Sequence, residues 1–103
     1  MTLTGFRDLL LELCPNVYHY EGHKADAPYI VWEEYRKIDT HADNRPHTGF
    51  WRVQVDYYTP LEFDPVPHTM ERAFADAGVS YNYRVSRERD LRLIRHLFDC
   101  EVI

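Results

Sequence analysis

The sequence lacks the signatures that assign a chemistry most quickly. Its four glycines, Gly5, Gly22, Gly49 and Gly78, are scattered, so no Gly-rich loop can cradle a phosphate. The two cysteines, Cys14 and Cys100, stand near opposite ends of the chain. Without a CxxC pair, a zinc site built on cysteines is excluded. No serine sits in a GxSxG elbow, and no cysteine–histidine spacing suggests a nucleophile. No apolar run approaches the ~18–20 residues of a membrane span. The N-terminus, MTLTGFRDLL, has neither the basic start nor the apolar core of a signal peptide, so the expected site of folding is the cytoplasm. Positive charge is also short. A net charge of −5 argues against a dedicated nucleic-acid binder, which is usually basic.

What is present is apolar and aromatic. Hydrophobic residues make up 45% and aromatics 15% of 103 residues, enough for one folded domain with a modest core. Residues 29–59 organise the chain. They read YIVWEEYRKI, then DTHADNRPHTG, then FWRVQVDYYT: two strand-like runs around a loop of turn formers, most simply an antiparallel hairpin. The loop exceeds the roughly 2–5 residues usual in hairpins. In the first run Ile30 and Trp32 share one face, while Tyr29, Val31 and Tyr35 share the other. In the second, Trp51, Val53, Val55 and Tyr57 form an apolar face against a mostly polar one. The first run is thus apolar on both faces near its start, so a second layer or another molecule must cover it there.

The flanking segments follow from periodicity. Phe6, Leu9, Leu10 and Leu13 form one helical stripe, with Thr4 placed to cap it and Pro15 to end it. Residues 16–20 allow a short strand. Val66, Met70, Ala73, Phe74 and Ala77 form a second stripe, which Asp64 and Pro65 can start and Gly78 can stop. Met70 and Phe74 are expected to bury against Val53 and Val55. Residues 79–86 and 91–102 alternate as two further strands around RERD. The order αβ(β)βαββ predicts a single α+β domain over residues 1–103, a mainly antiparallel sheet of four to five strands packed against two helices.

Candidate chemistry is thin. His41, Asp43 and His47, with Asp39 nearby, are the best metal cluster, but the spacing is not one that presets a zinc site, and a solvated loop explains them. His96 alternates with apolar neighbours and reads as a satisfied core or interface histidine. Glu33, Glu34 and Asp56 lie on paired strands and could face one another as catalytic carboxylates. Without an accompanying nucleophile or oxyanion donor they read as structural charges. The cysteines could form a disulfide or remain two buried thiols. One charge feature stands out. Residues 81–97 hold Arg84, Arg87, Arg89, Arg92 and Arg95 against two acids, whereas residues 1–78 hold thirteen acids against seven bases. This reads either as an ordinary charged hairpin tip or as a basic surface for an acidic partner, DNA or another copy of the chain.

Four segments together resemble a known family: TLTGFRDLLLEL as opening helix, APYIVWEEY, the strand–helix junction VQVDYYTPLEFDPVPHTMERAFADAG, and the ending LRLIRHLFDCEVI. The chain resembles the small tail-terminator, or tail-completion, proteins of siphophages and prophages, of the head-to-tail joining type. The resemblance covers most of the chain as a pattern of elements and spacing. It implies an α+β subunit that is not an enzyme, binds no cofactor and closes into a ring, usually hexameric. The ring caps the tail tube and meets the head connector, and DNA passes through its lumen without specific binding. Such a protein assembles in the host cytoplasm and ends in the virion tail. By position, loop 39–49, with Asp39, His41, Asp43, Arg45 and His47, would reach a neighbour or the lumen. It would be mobile in the free subunit. Arg84, Arg87, Arg89 and Arg92 would meet an acidic neighbouring surface, and apolar faces near Tyr29 and Trp32 would supply the rest of the contact. The alternatives are another head-closure or minor capsid component, or a small non-catalytic interaction domain.

Overall fold

The computed structural model describes residues 1–21, 26–39 and 49–103. It is an α+β fold with the element order αβββαββ. Helix α1 spans Leu3–Leu13. Thr2, not Thr4, caps it: its hydroxyl accepts the Gly5 amide at 3.0 Å. Either threonine offers the same oxygen, but starting two residues earlier places Leu3 on the stripe with Phe6 and Leu10, where it packs on the core. The tertiary contact therefore selects between two equivalent caps. The helix ends at Cys14, ahead of Pro15.

Strand β1, Val17–His19, is short and runs parallel to β2, Tyr29–Asp39. Strand β3, Gly49–Thr59, returns antiparallel beside β2. Gly49 faces Asp39, and a Cβ there would stand 2.7 Å from the Ile38 carbonyl oxygen, so only glycine fits this close approach. Helix α2, Val66–Asp76, crosses back over the sheet. The Asp64 carboxylate accepts the Val66 amide at 2.8 Å, as a capping acid does. Pro65 takes the cap position itself, one residue outside the helix where the sequence placed it. Gly78, at φ 73°, ends the helical segment in the left-handed region. Strands β4, Ser80–Glu88, and β5, Leu93–Val102, complete a sheet ordered β1-β2-β3-β5-β4. The last strand inserts between β3 and β4 for a physical reason. Its neighbours Leu97 and Phe98 are both buried, on opposite faces, as a central strand requires. Most of β4 is exposed, as suits an edge.

Both helices lie on one face of the sheet. Phe6 and Leu10 from α1 and Met70 and Phe74 from α2 meet Ile30, Trp32, Val53, Val55, Tyr57, Phe98, Cys100 and Val102 in one buried cluster. Phe74 stacks on Phe6 at 5.8 Å and meets Phe98 edge-on at 5.4 Å. Met70, Phe74, Val53 and Val55 are all fully buried in this cluster, as the periodicity predicts. Cys14 and Cys100 are free, buried thiols, and burial pushes both above their ordinary pKa.

Replacing Phe74 with Ala removes a ring held between two helices and a strand. The expected loss is about 3–5 kcal/mol of unfolding free energy, measured by urea titration at constant m-value. A loss under about 1 kcal/mol would show that this ring is not the keystone of the core.

Candidate functional site

The sheet face opposite the helices carries Tyr29, Val31 and Glu33 from β2, Arg52, Gln54, Asp56 and Tyr58 from β3, and Arg95, Leu97 and Asp99 from β5. Among the described residues, no helix or further strand covers it. The face is nevertheless ordered by its own side chains. Tyr29 stacks on Tyr58 at 4.9 Å, and the Arg95 guanidinium lies 5.7 Å from the Tyr58 ring centre. Arg95 pairs with Asp56 at 2.7 Å and with Glu88 at 3.5 Å. Gln54 also donates to Asp56, at 3.1 Å to each oxygen. The Arg95 Nε is buried, with no partner among the described residues. Burial pushes the Tyr29 and Tyr58 phenols upward, with Arg95 pulling Tyr58 partly back. Tyr35, on this side as alternation predicts, sits at the β-bulge between Glu34 and Arg36, and its hydroxyl donates to Asp99 at 2.7 Å; the bulge turns Arg36 to the same side, opposite Arg52.

Register separates the three acids named from sequence. Glu33 faces Gln54, Asp56 faces Val31, and Glu34 faces Val53 on the helix side. Asp56 is taken up by Arg95, while Glu34 accepts His19 at 2.9 Å and the Tyr20 hydroxyl. The strands thus bring no two of these carboxylates directly opposite each other. His19 lies flat between Tyr20 and Trp32, at 3.9 and 4.1 Å. His96 stacks on Tyr83, whose hydroxyl lies 2.6 Å from Nδ1, the satisfied histidine that its pattern suggests. No group of three or more metal-ligand side chains occurs among the described residues. His41, Asp43, Arg45 and His47 lie outside them, and with them the expectation of a mobile loop.

The remaining sequence candidates are dispersed. Asp39 ends β2 opposite Gly49. Arg84 faces Leu97 on the uncovered face, and Arg87 faces Ile94. Arg87, Arg89 and Arg92 line one open hollow at the β4–β5 tip. Arg95 does not join them, because its charge is consumed by Asp56 and Glu88. Tyr29 and Trp32 point to opposite faces, and Trp32 is only 3% exposed, inside the helix-side core.

Sequence reasoning missed a polar knot at the β3–α2 junction. Asp64 Oδ2 accepts the Tyr57 hydroxyl at 2.8 Å and the Thr59 hydroxyl at 2.7 Å, while Thr59 Oγ1 accepts the Leu61 amide at 3.1 Å. Burial alone would raise the Asp64 carboxyl, but bonds from Thr59, the Val66 amide and Tyr57 outweigh it and hold it below its ordinary pKa. The same contact and burial push the Tyr57 phenol up. The signal was present in YYTPLEFDP, where a tyrosine, a threonine and an aspartate bracket a short turn.

Comparison with family models and with curated proteins finds no match. Among the described residues, no helix is long and apolar enough to cross a membrane.

Two outcomes follow from this geometry. Replacing Arg95 with Ala removes the charge partner of Asp56, which is 7% exposed, and leaves it with the Gln54 amide. The expected loss of stability is about 2–3 kcal/mol by chemical denaturation; an unchanged midpoint would mean that solvent replaces the pair. Burial holds the His96 imidazole below its ordinary pKa of 6.5, with Asp64 opposing in part. As pH falls, the unfolded chain therefore takes up this proton first. Its contribution to stability is fully present above the unfolded value and fades as pH drops through the folded one. Unfolding free energy should decline as pH falls through the ordinary histidine value of 6.5 and on through the lower folded one, and His96→Gln should flatten that slope. Equal slopes in the two proteins would remove His96 as the cause.

Proposed function

We propose that this chain is a structural subunit of a siphophage or prophage virion, of the tail-terminator or tail-completion type. In this reading several copies close into a ring that caps the finished tail tube and meets the head connector. The subunit assembles in the host cytoplasm and remains in the tail. One observation carries the reading: the segments that resemble the family fall in order on successive elements, with APYIVWEEY opening β2. The opening helix is α1, the strand–helix junction runs from the second half of β3 through α2, and the ending is β5.

The distribution of surfaces supports it. The helices shield one sheet face, leaving the other face and the arginine tip available to neighbours. A subunit with different surfaces on its two sides makes heterologous contacts, which close into rings when the rotation permits. A net charge of −5 per copy suits a lumen through which DNA slides, because affinity for DNA comes from neutralised phosphates. The reading calls for no catalysis, cofactor or metal.

Light scattering of concentrated protein should give about six times the 12.4 kDa subunit mass. Electron microscopy should show rings seated on the ends of cognate tail tubes. Reversing Arg87 and Arg92 to Glu should slow assembly at low salt and leave the fold intact, since exposed ion pairs contribute only about 0–1 kcal/mol each and are screened by salt. A protein that stays monomeric and leaves tubes bare would overturn the proposal. Rings found only on the head connector would point to head closure instead.

A further inference from the structure

Phe63 is the most exposed large apolar side chain among the described residues, at 92%. It also stands at φ 61°, a left-handed conformation that an aromatic L-residue rarely adopts. Exposure and backbone are both unfavourable, yet the turn is built to hold them. Asp64, next in sequence, is locked by Tyr57, Thr59 and the Val66 amide, and Thr59 fixes the Leu61 amide on the other side. Leu61 is itself 56% exposed. The result is a rigid apolar knuckle, the kind of pre-organised aromatic that anchors a protein interface.

A matching socket lies elsewhere on the same chain. Leu3, Thr4 and Arg7 of α1, with His19, Trp32 and Glu34, line a hollow of about 200 Å³. That is smaller than the roughly 300 Å³ at which small-molecule sites begin, and suits a single inserted side chain. Charge orients the two surfaces. Thr59 pairs with Ile94, so the knuckle and the tip bearing Arg87, Arg89 and Arg92 leave the sheet at the same end. Glu34 lines the socket beside Arg7, and Asp8 and Glu12 stand exposed on the same helix α1, so the socket side carries acids. Within the knuckle the sign is reversed: Glu62 would meet Arg7 at the socket rim. Two knuckle ends, or two socket sides, would repel each other.

We infer that Phe63 of one copy docks in the Leu3–Trp32 hollow of the next. This is a head-to-tail contact that uses different patches on its two sides. The inference rests on the ring reading, because its occupant is a second copy of the chain. It assigns the apolar part of the contact to Phe63 and Leu61, and the arginine tip becomes the steering charge beside them.

The test uses full-length protein with a photo-crosslinking benzoylphenylalanine in place of Phe63, irradiated at assembly concentration and read by peptide mass spectrometry. Crosslinks should reach residues 3–7 or 29–34 of a second copy. Phe63→Asn keeps a residue that tolerates the left-handed turn, so it should leave the unfolding midpoint unchanged and weaken self-association about tenfold or more. Thr4→Trp, which fills the hollow from its exposed rim, should weaken it comparably. Assembly of normal mass and affinity in Phe63→Asn, or crosslinks that fall elsewhere on the neighbour, would overturn this contact and leave the ring standing. Crosslinks to a tail-tube protein with none between copies would overturn it also. A protein that never self-associates would overturn both the contact and the ring.

Discussion

Phe74 lies where the two helices and the central strands meet, and the rest of the fold depends on that meeting. Its ring stacks on Phe6 from α1 and stands edge-on to Phe98 from β5. Neither helix is long, and a helix of eleven residues is marginal in water by itself. Each is held by the apolar stripe that it lays on the same sheet face. Nearly all of the fully buried side chains accordingly lie on that face or on the helices above it. Because both helices are committed there, the opposite face must be made tolerable to water by its own side chains.

That face solves the problem locally. Tyr29 and Tyr58 cover each other, and Arg95 covers Tyr58 while pairing with Asp56. The chain thereby spends one of its five clustered arginines on the interior of the face. The exposed positive charge concentrates at the tip, on Arg87, Arg89 and Arg92. The Asp64 knot does a parallel task at the end of β3. It satisfies Tyr57 and Thr59 at the sheet margin, starts α2, and sets the turn that holds Phe63 outward. One carboxylate thus couples core, helix start and surface, and its depressed pKa reflects how fully its oxygens are used.

Much of this was legible in one dimension. Period 3.6 placed both helices within a residue or two, and period 2 placed Trp32 and Tyr29 on opposite faces of β2. What the pattern could not say was which face the helices would take, and so Trp32 was read as a surface anchor when it is core. It also could not separate Thr2 from Thr4 as cap, since both carry the same hydroxyl. The Tyr35 bulge was invisible because it shifts the register by one residue without changing composition. Phe63 was passed over because a turn is read from its prolines and acids, and the burial of the residues between them depends on the neighbours.

The sequence by itself determined the elements, their order and the stripe each must bury, because those depend on spacing within a short segment. It also determined that α2 must return over the sheet after β3, since its stripe had no other apolar surface to cover. Only the tertiary structure decided how the strands line up: β1 parallel to β2, and β5 inserted between β3 and β4. Strand neighbours are chosen by contacts between residues far apart in the chain, and local propensity carries no information about them. The same reason governs the charges. Arg95 and Arg92 look alike in sequence, but a register that sets Arg95 within 2.7 Å of Asp56 buries one charge, while a turn leaves the other in solvent.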